Sequence, residues 1–166
     1  MDTDKNYFLS KETASKKLRR IAYEILENNM EEKELILAGI RESGSVVAKN
    51  IQKELSAISK IKTTLITLTL DKREPNEVLI SKAFDFNDKV IIVIDDVANS
   101  GKTLLYALKP FLEYHPKKIQ AMVLVERKHN NFPVSPDYVG VSVSTTLQEH
   151  IYVEVKGDEI TGAYMK

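Results

Sequence analysis

The sequence predicts an α/β protein built on a doubly wound, mainly parallel sheet. Two observations carry this reading. Strand and helix patterns alternate along the chain, and the clearest strand, Val90-Ile91-Ile92-Val93-Ile94, is apolar on both faces, as a central parallel strand is. The length of 166 residues, 43% hydrophobic and 29% charged, suits a single domain with a sizeable core, residues 1–166.

From Ala14, apolar residues recur at Leu18, Ile21, Ala22, Ile25 and Leu26, one face of a helix that Asn28 and Asn29 stop. Leu35-Ile36-Leu37-Ala38 then reads as a short buried strand running into Gly39-Ile40-Arg41-Glu42-Ser43-Gly44. A second helix carries Val46, Val47, Ile51, Leu55 and Ile58, and Thr63 to Leu70 is a strand dense in Thr, Leu and Ile. Asp71 to Asn76 is a polar loop. The strand at Val90 runs straight into Asp95-Asp96-Val97-Ala98-Asn99-Ser100-Gly101-Lys102-Thr103. The helix after it carries Leu104, Leu105 and Leu108, and Pro110 should kink or end it. Ala121 to Val125 is a further buried strand, with shorter ones at Tyr138 to Val143 and Ile151 to Val155. No repeat or low-complexity segment is present.

Composition narrows the function. Lys plus Arg is 24 and Asp plus Glu is 24, so a polyanion would have to be met by a local site rather than by net charge. There are no cysteines, which excludes disulfides, thiol catalysis and zinc–thiolate centres. The start, Met1-Asp2-Thr3-Asp4-Lys5, is polar, and no apolar run is long enough to span a bilayer. A cytoplasmic protein without a membrane partner is the expectation.

Ligands of doubly wound sheets bind beyond the carboxyl ends of the strands, which directs attention to the loops starting at Ile40, Asp95 and Glu126. Two carboxylates closing a buried strand need compensation, and a hydroxyl-rich or metal-bound ligand supplies it. Behind them Asn99 to Thr103 opens a helix, where amide hydrogens favour a phosphate, Gly101 permits close approach, and the Ser100 and Thr103 hydroxyls can donate. An acid pair followed by a phosphate cradle suits a ribose carrying a 5′-phosphate. Ser100-Gly101-Lys102-Thr103 is also the end of a nucleoside-triphosphate loop. That motif needs glycine where Asp96 stands, and the charge of Asp96 would repel a triphosphate. The plainest alternative is a solvated acidic helix entry with Ser100 as its cap.

The stretch Val90 to Leu104 resembles the signature of the type I phosphoribosyltransferases. Arg20-Ile21-Ala22-Tyr23-Glu24-Ile25, Gly39 to Gly44, Val125-Glu126-Arg127-Lys128-His129 and Pro133 to Gly140 are similar to one subfamily, the bifunctional pyrimidine-operon attenuator and uracil phosphoribosyltransferase. The resemblance runs from the first helix to Val155. It implies a type I phosphoribosyltransferase fold: a mainly parallel central sheet flanked by helices, with a small hood from N-terminal residues and about 126–150.

By resemblance, Asp95 and Asp96 bind the ribose hydroxyls of phosphoribosyl pyrophosphate and lie near Mg²⁺, which is held indirectly through substrate or water. Val97, Ala98, Asn99, Ser100, Gly101, Lys102 and Thr103 hold the 5′-phosphate. Ile40, Arg41, Glu42, Ser43 and Gly44 form the pyrophosphate loop, which carries a cis peptide in the family, with Arg41 as the cation for the leaving group. Arg41 has the alternative of a plain surface charge. The reaction is displacement of pyrophosphate by a base nitrogen through an oxocarbenium-like sugar, so no protein nucleophile is needed. Glu126, where purine enzymes place lysine, and Arg127 beside it favour uracil, in pyrimidine salvage. His129 contacts the base or is a solvated loop histidine. A homo-oligomer, dimer or higher, is implied.

The sequence departs from the subfamily twice. The lid between Leu70 and Val90 is shortened, which bears on turnover rather than on binding. Lys72 and Arg73 within it either reach the pyrophosphate or are a solvated charge run. Where the attenuator's RNA surface carries arginines and a histidine, this chain has Asn130, Ser135 and Tyr23, although Arg19 and Arg20 remain. With zero net charge, RNA is a disfavoured partner. The alternative function is a nucleotide-sensing, RNA-binding regulator of the attenuator type with weak transferase activity or none.

Overall fold

The computed structural model describes residues 4–146 and 148–166. Met1, Asp2 and Thr3 of the polar start, and Leu147 within the 126–150 stretch, lie outside them. The elements in chain order are β1 (Asn6–Ser10), α1 (Lys11–Asn28), β2 (Glu34–Ile40), α2 (Ser43–Ile58), β3 (Lys62–Thr69), β4 (Leu79–Ile80), β5 (Val90–Ala98), α3 (Lys102–Ala107), a 3-10 turn at Lys109–Phe111, β6 (Lys118–Arg127), β7 (Tyr138–Val143), β8 (Ile151–Lys156) and β9 (Glu159–Met165).

The larger sheet has the order β4-β3-β2-β5-β6-β7. β3, β2, β5, β6 and β7 run parallel, and only the edge strand β4 is antiparallel. The continuous apolar runs have the cause expected of them, because each strand is covered on both faces. Leu35 and Leu37 of β2, with Val90, Ile92 and Ile94 of β5, pack with α1 and α2. Ile36, Ala38 and Ile40, with Ile91 and Val93, pack on the other face against Leu104, Ala107 and Phe111. Phe86 sits at the centre of that second layer, edge-on to Phe111 at 4.9 Å and to Tyr114 at 5.2 Å between ring centroids. It comes from a segment with no periodic pattern, so the sequence gives no warning of its burial.

A second, three-stranded antiparallel sheet has the order β1-β9-β8. Leu9, Val153, Ile160 and Ala163 on this sheet share one apolar cluster with α1 and α2. β1, β4 and β9 do not stand out in the sequence. β9 contains Gly162, whose place is dictated by contact: a Cβ there would lie 2.9 Å from the Leu9 carbonyl oxygen. The first helix also starts earlier than its first apolar residue, because Ser10 caps it by accepting from the Thr13 amide at 3.2 Å. At its other end buried Asn29 donates to the Ile25 carbonyl at 2.8 Å and accepts from Lys118 Nζ at 2.8 Å. α3 ends at Ala107, short of Leu108, and the chain continues through Pro110 in the tighter 3-10 turn. Among the described residues no helix is long and apolar enough to cross a membrane.

Candidate active site

The carboxyl end of β5 sets the site. β5 keeps its pairing with β6 beyond the apolar run, so Asp95 lies opposite Val123 inside the sheet rather than in a loop. Its side chain is 1% exposed and that of Asp96 is 16% exposed. Asp95 Oδ1 accepts from the Asp96 amide at 2.9 Å, and Asp96 Oδ1 accepts from the Val97 amide at 2.8 Å. Burial pushes the Asp95 carboxyl well above the usual carboxylate range, and the neighbouring charge of Asp96 pushes the same way while Lys72 opposes both. This excludes the solvated acidic helix entry as an account of the pair. Gly44, at the start of α2, is placed against it. A Cβ there would stand 2.8 Å from the Ile94 carbonyl oxygen and 3.0 Å from both Asp95 Cα and Oδ1, so only glycine lets the loop after β2 come this close.

Lys72 completes the acid pair. It follows β3, the strand beside β2, and its Nζ lies 3.2 Å from each Asp95 carboxylate oxygen and 3.8 Å from Asp96 Oδ1. Burial works against its ammonium, but the two carboxylates outweigh that and raise its pKa above the ordinary lysine value. The 3.2 Å contact with a buried carboxylate makes Lys72 more than a solvated charge, and it reaches the acid pair. The usable signal was topological: any residue just past the carboxyl end of β3 falls beside the loops after β2 and β5. The rest of the short loop is tied down as well. Asp71 Oδ1 accepts from the Arg73 amide at 2.8 Å, Lys102 Nζ donates to the Arg73 carbonyl at 3.3 Å, and Lys109 Nζ donates to the Asn76 carbonyl at 2.8 Å.

Asp96, Val97, Ala98, Asn99, Ser100, Gly101, Lys102 and Thr103 line one open cleft of about 310 Å³, joined by Lys72, Leu104 and Ile151. Gly101 has φ of +87°, a left-handed conformation, and a Cβ there would meet the Val134 carbonyl oxygen at 2.9 Å. The turn is pinned from the other side by the loop after β6: the Ser100 carbonyl accepts from the Asn131 amide at 3.0 Å and the Phe132 amide at 3.1 Å. The floor of the cleft and the loop that follows Glu126 are thus one hydrogen-bonded unit.

Ile40 is buried at the end of β2, and the Arg41–Glu42 peptide bond is cis. Arg41 and Glu42 are exposed and border a separate cleft of about 480 Å³ with Ser45, Lys49, Thr67 and Thr69. Gly44 is therefore the member of this loop that touches the acid pair, while the Arg41 side chain lines the neighbouring cleft. Arg127 is buried at 9% exposure and donates to the Thr146 carbonyl at 2.6 Å, so it braces the loop after β7. Glu126 accepts from Ser142 Oγ at 2.9 Å, and His129 Nε2 lies 3.5 Å from the Thr145 carbonyl oxygen.

β5 thus carries the acid pair near its carboxyl end and leads into a tight glycine turn that lines a cleft. Residues 8–156 match the phosphoribosyl transferase domain family. The chain belongs to the phosphoribosyltransferases. As a member of that family it is a pentosyltransferase, and its relatives sharpen the placement. It is 32% identical over 175 residues to the bifunctional protein PyrR of Macrococcus caseolyticus, covering 98% of this chain and 99% of that one. It is 36% identical over 151 residues to the bifunctional protein PyrR of Staphylococcus carnosus, covering 84% and 85%. In fold it is similar to the hypoxanthine phosphoribosyltransferase of Trypanosoma cruzi, with a TM-score of 0.75 at 13% identity over 84% of this chain and 82% of that one. A hypoxanthine-guanine phosphoribosyltransferase from Bacillus anthracis gives a TM-score of 0.71 at 20% identity over 83% and 82%.

Proposed function

We propose that this phosphoribosyltransferase transfers ribose 5-phosphate from phosphoribosyl pyrophosphate to uracil, releasing pyrophosphate. The observation that supports it best is the pairing of buried Asp95 and largely buried Asp96 with the cleft lined by Asn99 to Thr103. In this reading the acid pair accepts from the ribose hydroxyls, and Ser100 and Thr103 donate to the 5′-phosphate. Gly101 lets the backbone close on that phosphate, and Lys102 adds a charge. Ile40 to Gly44 hold the pyrophosphate, with Arg41 swinging from its neighbouring cleft to meet the departing charge. The chain orients both reactants in line, and no side chain forms a covalent intermediate.

Mg²⁺ fits this site as a substrate-borne ion. Among the described residues no cluster of three or more His, Asp or Glu side chains could hold a metal alone. Two neighbouring carboxylates beside a pyrophosphate suit an ion that keeps water and phosphate ligands. When bound, it would neutralise the leaving pyrophosphate.

The preference for uracil rests on Glu126 and on Arg127. Glu126 stands at the cleft end of β6 where a purine-binding lysine would be needed. Arg127, fixed on the Thr146 carbonyl, holds the loop that would close over the base. With the sheet β1-β9-β8 this loop makes up the hood. The protein works in the cytoplasm in pyrimidine salvage, as a dimer or larger homo-oligomer. The Asp95→Asn, Asp96→Asn double variant tests the sugar site. It should fold and lose at least tenfold in affinity for phosphoribosyl pyrophosphate, roughly the 1.4 kcal/mol that separates decades of binding. Unchanged affinity would refute the assignment.

The word bifunctional in the relatives' name supports a second reading, an RNA-binding regulator that uses the cleft as a nucleotide sensor. The charge distribution weighs against it. Arg20, one of the two arginines left on α1, is engaged by Glu24 and donates to the Val139 and Gly140 carbonyls at 3.0 and 2.8 Å. Its guanidinium covers the outer edge of β7 instead of facing phosphate.

A further inference from the structure

We propose that Lys72 is a substrate-displaced counter-ion, a positioning residue that takes the place of the sugar diol on the acid pair and straps the short loop over it. The inference rests on the phosphoribosyl reading of the cleft and goes beyond it. Lys72 Nζ sits within 3.2 Å of both oxygens of Asp95 and 3.8 Å from Asp96, so it engages the same acceptors that a ribose diol would use. The side chain is 45% exposed while Asp95 is 1% exposed. The ammonium therefore enters from solvent to neutralise a charge that the fold has buried, and it can leave the same way. A second contact reinforces the strap, since Lys102 of the phosphate cradle donates to the Arg73 carbonyl at 3.3 Å. The two anchors nearest the cleft are thus ligand-binding groups: the acid pair holds Lys72, and Lys102 holds Arg73, while Lys109 holds the far end of the loop at Asn76. A ligand with both a cis-diol and a phosphate competes for both anchors. One with phosphate alone competes for Lys102 only. The strap therefore lowers the affinity for the complete sugar phosphate selectively, and only that ligand opens it fully.

The test compares the full-length protein with Lys72→Met and Lys72→Arg, using ribose 5-phosphate and inorganic phosphate as probes in calorimetric titrations. A strap that is closed for nine-tenths of the time weakens apparent binding about tenfold, because affinity scales with the open fraction. Lys72→Met should therefore bind ribose 5-phosphate about tenfold more tightly than wild type and inorganic phosphate with little change, while Lys72→Arg should resemble wild type. Equal or weaker ribose 5-phosphate binding by Lys72→Met would overturn the proposal, since Lys72 would then be indifferent to the ligand or would contact it directly. A ligand-free readout separates this from the function itself. The Arg73 and Glu74 amides donate to Asp71 Oδ1 at 2.8 and 3.4 Å within the strap, so their hydrogen exchange, measured with no ligand added, should be several-fold faster in Lys72→Met. Unchanged exchange would refute the strap even if neither protein bound the sugar phosphate. Absence of binding with accelerated exchange would refute the assigned ligand and leave the strap standing.

Discussion

A carboxylate buried within a β-sheet is stable only when its charge is met, and for Asp95 the cation is a single loop lysine while Asp96 adds repulsion. The raised Asp95 pKa sets the sign of a pH effect. Between the ordinary carboxylate value and the raised one, folded Asp95 keeps a proton that the unfolded chain has already released. Stability therefore falls as pH rises through that window. Asp95→Asn has no proton to lose. Its stability relative to wild type should therefore rise as pH rises from the carboxylate range towards pH 8. Urea unfolding of both proteins at pH 4 and pH 8 checks it, and a relative stability that falls with pH would mean that Lys72 outweighs burial. Gly44 offers a purely steric counterpart. A Cβ 2.8 Å from the Ile94 carbonyl and 3.0 Å from Asp95 forces a backbone shift, so Gly44→Ala should cost about 1 to 3 kcal/mol by overpacking and weaken sugar phosphate binding as well. At this scale Asp95, Asp96 and Gly101 were legible because acids after an apolar run and a glycine in a tight turn each violate a local rule. Lys72 and the bracing role of Arg127 were not, because both depend on partners far along the chain.

The elements divide by how local their cause is. α1, α2 and the parallel strands follow from periodicity and continuous apolar runs, whereas β1, β4 and β9 exist because of what they pair with. β1 takes its place from β9, with Tyr7 opposite Tyr164 and Ser10 opposite Gly162. Ser10 also joins that strand to α1 by capping the helix, so Ser10→Ala should destabilise the protein by about 1 kcal/mol, read as a lowered thermal midpoint. The short lid shows the same limit. Its polar sequence predicts a loop, but its strapped position comes from Lys102 and Lys109 on the segment that follows β5. The sequence places Lys102 in the turn after β5 and says nothing of the carbonyl groups that Lys102 and Lys109 reach.

The molecule as a whole unites two sheets through one apolar cluster around α1 and α2, and it presents a balanced surface of 24 basic and 24 acidic residues. With that balance and Arg20 engaged on β7, RNA binding should be weak and change little between 50 and 200 mM salt. A regulator making 6 to 10 phosphate contacts would lose about 10³ to 10⁵ in affinity over that range. The parallel sheet and the acid pair and glycine turn at the carboxyl end of its central strand were visible in the sequence. The antiparallel sheet was not, since its strands lie at opposite ends of the chain. The measurement that bears most directly on the central claim is pyrophosphate release from phosphoribosyl pyrophosphate with Mg²⁺ present, comparing uracil, hypoxanthine, guanine and orotate. The arrangement of Asp95, Asp96, Glu126 and Arg127 predicts release with uracil and none above background with the other three. Release with hypoxanthine or guanine instead of uracil, or no release with any base, would contradict it.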